Sequence, residues 1–267
     1  GLQPVLPAAH QNPFAVRSQN NMKFFVTTVF ISLLAISTFS QNQKEQTKAA
    51  ERVDRSAELL TQFQKLGENS LPMEILKDAK AVAVFPGVKK YSIMLSQLIL
   101  GHGLVSMRVD DKWSTPVFLT LKGSDMNFKF ADKESFDLVV ILRTDKSIEA
   151  LKKGKFFGTG ALLLGPVVKG PGADTILREA PAVYYPLSNG QLIDTDLKNN
   201  SVMGGFGLVH DNNMNKAIFH ANGKTLLSNP EKAVTVPAEI EKFRTALMQI
   251  LVTPSSAESV KKEGTNE

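Results

Sequence analysis

The sequence predicts an α+β fold: a curved antiparallel β-sheet closing toward a barrel or sandwich, with flanking N-terminal, middle and C-terminal helices. Three observations predict it. Apolar runs of strand length, such as "PVFLTLKG" and "FDLVVILRT", follow one another with glycine or charged residues between them. Helical periodicity is confined to a leading stretch, a short central one and a closing one. Long helical crossovers, which join the strands of a parallel sheet, are absent between successive runs.

The first segment with a clear pattern is "MKFFVTTVFISLLAISTFSQNQKEQ". Lys23 gives a positive start, Phe24 to Ile36 an apolar centre, and Ser37, Thr38 and Ser40 a small polar end. Residues 22–40 therefore read as a secretory signal peptide cleaved after Ser40. A membrane anchor is the alternative, but the run is shorter than the roughly 20 residues of a spanning helix, and Ser and Thr interrupt it. Residues 1–21 precede a natural-looking start and show no periodicity, as a non-native or mis-assigned upstream segment would. A single ordered domain is expected over residues 45–252.

Within it, Gln43 to Gly67 is an amphipathic helix, with Ala50, Val53, Ala57, Leu60, Phe63 and Leu66 at three- and four-residue steps and Gly67 as its stop. Its polar face mixes Glu51, Asp54 and Glu58 with Lys48, Arg52 and Arg55. Interfacial helices prefer basic polar faces, so docking on the domain is favoured over lying on a bilayer. Pro72 opens a short helix through Lys77. Val82 to Phe85 is a buried strand, broken by a Pro86-Gly87 turn. Strands then recur through "SIMLSQLILGHGLVSMRV", "PVFLTLKG", "MNFKFAD" and "FDLVVILRT". Asp145 to Gly154 is a short helix with Lys152 and Lys153 near its end and glycine as stop. Strands resume at Phe156–Leu164, Val167–Val168, Thr175–Leu177, Ala182–Pro186 and Gln191–Thr195. After Pro237, a stripe of Ile240, Phe243, Leu247, Ile250 and Leu251 marks the closing helix. Residues 253–267 carry no apolar payload and read as a disordered tail.

These pieces, in this order, resemble the SYLF lipid-binding domain family, the family that includes yeast actin-patch proteins. The resemblance runs over Leu71 to Gly205. Its most specific parts are "AKAVAVFPGVKK" and the Trp-Ser-x-Pro of Trp113, Ser114 and Pro116, and it extends through "LLLGPVVKG" and "YYPLSNGQL". The chain is a divergent example. Of the family's glycines around "YSIMLSQLILGHG" only Gly101 and Gly103 remain, and "DMNFKF" has none. The single tryptophan itself sits at a strand entrance after Asp110-Asp111-Lys112, because Pro116 cannot donate to a ladder and suits a strand's first residue. Closing the end of a sheet is its expected role, ahead of ligand contact.

Composition excludes several chemistries. Without cysteine there is no disulfide framework, thiolate metal site, cysteine nucleophile or acylated lipoprotein cysteine. His102, His210 and His220 lack metal-protease spacing, and no serine lies in G-x-S-x-G. Gly158 and Gly160 lead into a strand-like run instead of a helix, and Asp194 to Asn200 lacks the glycine and terminal glutamate of a calcium loop. No catalytic residue, cofactor or metal is expected, and a hydrolase is the least favoured reading. The formal charge of +5 falls to +3 without residues 1–40, which hold Arg17 and Lys23 and no acid. This is no nucleic-acid stripe.

The resemblance implies anionic phospholipid or phosphoinositide-like head groups as ligands, bound by a non-enzymatic module. The signal segment directs that module to the bacterial envelope, secreted or periplasmic and peripheral to the membrane, and away from the actin role. Candidate lipid-binding residues are Lys80, Lys89, Lys90 and Arg108, which lie in the matched segments, followed by Lys152, Lys153 and Lys155. The alternative is a periplasmic scaffold that binds a protein or glycan through the first helix.

Overall fold

A computed structural model describes residues 1, 43–66, 73–93, 96–110, 112–124, 135–154, 156–158, 163–164, 180–192, 206–230 and 237–252. The signal segment, the upstream residues after Gly1, Pro72, "MNFKFAD", Lys155, Val167–Val168, Thr175–Leu177, Asp194–Asn200 and the tail all lie outside the described residues. The chain divides into two compact units, Gly1–Glu45 and Gln46–Glu267. Of the first, only Gly1 and the helical residues 43–45 are described. Every described strand belongs to the second.

After helix α1 (residues 43–64) and the short α2 (Met73–Lys77) come β1 (Ala81–Ile93), β2 (Ser96–Val109), β3 (Lys112–Trp113), β4 (Val117–Ser124) and β5 (Ser135–Leu142). Helix α3 (Asp145–Lys152) precedes β6 (Phe156–Gly158), β7 (Leu163–Leu164), β8 (Ala182–Ser188), β9 (Gln191–Leu192) and β10 (Phe206–His210). Helices α4 (Asn212–Phe219), α5 (Gly223–Ser228) and α6 (Ala238–Val252) follow. The strands lie in the order β6-β10-β4-β2-β1-β5-β8-β7, with β3 on β2 and β9 on β8. All neighbours are antiparallel except β7 and β8. The sheet is curved and does not close into a barrel. This is the expected α+β architecture with an antiparallel sheet.

Local signals account for the tight ends. Asn189 and Gly190 both have positive φ, 53° and 72°, which is the two-residue turn an Asn-Gly pair makes between β8 and β9. Helix α3 begins with Thr144 accepting from the Ser147 amide and ends before Gly154 at φ 65°.

One local signal misleads. Pro86-Gly87 does not end the strand; β1 runs on to Ile93. From Val84 to Lys89 it advances one residue more than β2 does from Leu104 to Leu100, and the same excess appears against β5. The dipeptide is therefore a β-bulge. Gly87 supplies φ 61°, and its amide donates to Asp137 Oδ1 at 2.6 Å. A bulge resets the alternation of faces: Val82 and Val84 share a face before it, and Lys89 and Tyr91 take that face after it.

Helix α1 lies on this face. Val53, Leu60 and Phe63 are buried, and Phe63 meets Tyr185 of β8 edge-on at 5.5 Å. Arg52 binds Asp211 at 2.9 Å and stands over Phe118. The apolar stripe is thus occupied by the sheet. Neither insertion of this helix into a bilayer nor its docking on another protein is open to it without rearrangement. Lys242 of α6 joins Asp54 of α1 at 2.6 Å. Helices α4 and α5 and strand β10 were not legible from periodicity, being only five to eight residues long. Their caps, Asp211 and Asn222, are the local trace they leave.

Candidate functional site

The candidate cations separate to the two ends of β1. Eleven strand residues at about 3.3 Å each put Lys80 and Tyr91 some ~35 Å apart along the sheet. Two different surfaces result.

At the hairpin end, beyond the bulge, a hollow of about 310 Å³ opens between α1 and strands β1 and β2. Lys48, Arg52, Arg55, Lys89 and His102 line it, with Glu51 as the acidic member. Lys48, Arg52 and Arg55 recur at four and three residues, so one helix face carries them all. Sequence reasoning saw only a mixed polar face there, although this spacing was available to it. Arg55 and Lys89 have no carboxylate partner among the described residues.

Past the hollow, Tyr91 pairs with Leu98 across the hairpin. They are 43% and 37% exposed, an apolar pair left in solvent. Lys89 and Lys90 do not share this surface. Adjacent strand residues point to opposite faces, so Lys89 is exposed in the hollow while Lys90 is half-buried on the other side and has a partner of its own. Lys89 and Lys90, put forward together as lipid-binding candidates, are thus parted by the strand's continuation through the bulge.

His102 is half exposed in the hollow. Burial first, and the Arg52 guanidinium next, hold its imidazole below the ordinary value, against the opposing pull of Asp211. Thr120 Oγ1 and Asp211 Oδ2 both approach its Nδ1, at 3.4 and 3.9 Å. Two groups competing for one nitrogen do not make a nucleophile–base–acid relay.

At the other end of β1, Lys77, Lys80, Arg108, Arg143 and Lys152 line a wider groove of about 740 Å³, together with Asp78, Asp110 and Asp145. Three of the sequence candidates, Lys80, Arg108 and Lys152, thus come together here. Lys77 and Arg143 join them unforeseen. Lys153 is the exposed C-cap of α3, outside the groove.

Trp113 belongs to this end. It is buried, pairs with Arg108 in the β2–β3 ladder, and carries the Arg108 guanidinium 5.8 Å above its ring. Ser114 locks the strand entrance: its amide donates to Met107 O, its hydroxyl oxygen accepts from the Met107 amide, and Ser106 donates to its carbonyl. Pro116 stands just before β4. The Trp-Ser-x-Pro motif is a structural clasp whose ring also positions a cation. Among the described residues no group of three or more metal-ligating side chains occurs, and no helix is long and apolar enough to cross a membrane.

No family model matches the chain. Among curated proteins, it is similar to the SH3 domain-containing YSC84-like protein 1 of Homo sapiens, 27% identical over 154 residues, which are 54% of this chain and 44% of that one. The Mus musculus and Bos taurus proteins of the same name are 28% identical over 146 residues, 51% of this chain and 42% of theirs. The chain therefore spans less than half the length of the curated relatives it matches. These homologues point to the YSC84/SYLF family.

Proposed function

From this likeness to the YSC84/SYLF family we propose that the protein is a non-enzymatic module that binds anionic lipid surfaces in the bacterial envelope, secreted or periplasmic, through the β1–β2 hairpin end. One observation carries the reading: Tyr91 and Leu98 form an exposed apolar pair beside the cations of Lys89, Arg55 and Lys48. An amphipathic tyrosine with a neighbouring leucine suits the boundary between head groups and acyl chains. Each cation near such a surface contributes about 1 kcal/mol, screened beyond a Debye length. Among the described residues the groove at the far end has no exposed apolar pair, so it is the weaker membrane face.

Co-sedimentation with vesicles of phosphatidylcholine alone and with added phosphatidylserine tests the proposal. Recovery should rise with phosphatidylserine, fall with salt, and drop in Tyr91→Ser/Leu98→Ser. Equal recovery on both vesicles removes the electrostatic half. The alternative, a periplasmic scaffold for a protein or glycan, now has to use a surface other than the α1 stripe. It gains weight if the hairpin variants leave vesicle recovery unchanged.

A further inference from the structure

We infer that the hollow at the hairpin end is an acid-strengthened membrane contact, in which protonation of His102 adds one positive charge to the cations already facing the surface. The inference rests on the membrane reading above and supplies its regulation.

His102 stands on β2 directly opposite Thr120 of β4, with its half-exposed side chain in the wall of the hollow. Lys48, Arg52 and Arg55 of α1 and Lys89 of β1 line the same hollow, together with the carboxylate of Glu51. Lys122 lies two residues beyond Thr120, on the same face of β4, and its charge also reaches the ring. From α4 comes the cap residue Asp211. Cations thus approach His102 from α1, β1 and β4, and carboxylates from α1 and the α4 cap.

Asp211 is already committed. Its Oδ2 accepts from Arg52 Nη1 at 2.9 Å, and its Oδ1 accepts from the Met214 amide at 3.2 Å. The distance from Oδ2 to His102 Nδ1 is 3.9 Å, beyond hydrogen-bond reach. Arg52 therefore balances the charge of Asp211, and a proton on His102 is a surplus charge in the hollow. The change needs no backbone movement. While the ring is neutral, the Thr120 hydroxyl, 3.4 Å away, donates to Nδ1; once both ring nitrogens carry hydrogen, Nδ1 donates to the same oxygen.

In the free protein the ring resists that proton. Burial first and Arg52 next hold its pKa below 6.5 against the pull of Asp211, and Lys122 adds to the resistance. His102 is therefore neutral at pH 7 and charges as pH falls through the lowered value. An anionic surface over the hollow offsets the surrounding cations and makes the proton easier to take up. By reciprocity, the proton tightens binding to that surface by the same factor. One cation near such a surface is worth about fivefold in partitioning.

The test is co-sedimentation at fixed ionic strength with phosphatidylcholine vesicles containing phosphatidylglycerol, whose phosphodiester charge is constant between about pH 7.5 and 5. Partitioning of the parent should rise about fivefold over that range. His102→Gln, neutral throughout, should match the parent at the upper pH and gain less than about twofold on acidification. His102→Arg, charged throughout, should bind at the upper pH about as tightly as the parent does at the lower one. The side chain is half exposed, so both variants keep the fold, and thermal unfolding at each pH verifies it. A measurement without variants reads the same coupling: in dilute buffer near pH 6 the parent should take up protons on mixing with these vesicles and not with phosphatidylcholine alone. Partitioning that is flat with pH, or that rises equally in His102→Gln, overturns the inference and leaves the membrane reading standing. Recruitment no better than to phosphatidylcholine at either pH overturns both.

Discussion

Single residues settle where β1 and β2 meet. A Cβ on Gly103 would overlap the Val84 carbonyl oxygen, a backbone atom that cannot turn aside. Gly103→Ala must push the two central strands apart, a small-to-large change in a packed interior, and should cost about 3 kcal/mol or prevent folding; its urea midpoint measures this. Protonation is the second lever at this scale. His210 Nε2–H donates to Leu151 O, 2.8 Å away, and burial lowers its pKa, as it does for His102. The unfolded chain then takes up protons at higher pH than the folded one. Stability is full above the ordinary histidine value of 6.5 and declines as pH falls through the lowered values. The melting temperature should drop between pH 7 and 5.5, and His102→Gln/His210→Gln should flatten that slope. An unchanged slope would place the proton uptake elsewhere.

Among the elements, α1 is the one whose attachment matters most. Its fully buried Phe63 meets Tyr185, and the half-buried Arg52–Asp211 pair ties its other end to the cap of α4. Phe63→Ala removes a large ring from a closed interface and should cost about 3–5 kcal/mol in denaturant unfolding. A cost near zero would mean that the helix leaves the sheet readily, and bilayer insertion of its apolar face would return as a mechanism. The bulge is the other decisive element. By resetting the strand's alternation, it puts Lys89 and Tyr91 on the face of α1, where Lys48, Arg52 and Arg55 already stand.

For the molecule as a whole, the two basic surfaces should respond independently. Lys89→Glu reverses one charge at the hairpin end, a change of two units worth about 2 kcal/mol near an anionic surface. Phosphatidylserine-vesicle partitioning should fall at least tenfold at low salt, with folding within roughly 1 kcal/mol of the parent because Lys89 is exposed. Lys77→Gln/Lys80→Gln should leave that partitioning nearly unchanged. Parental binding by Lys89→Glu would show that the hairpin end is not the membrane face.

Local pattern was enough for the α+β class, the amphipathic α1, the glycine-stopped α3 and the strand entrance at Trp113. Each rests on a signal complete within a dozen or so residues: a period, a stop or a turn. That Pro86-Gly87 bulges instead of turning could be known only from the assembled sheet. The same dipeptide fits both, and the choice lies in pairing with β2 and β5. That pairing parted Lys89 from Lys90 and from Lys80. Packing of remote segments brought Arg143 beside Lys80, and Arg52 to Asp211 across 159 positions. Strand register and cross-chain charge clusters are set by contacts between distant segments, which no local period encodes.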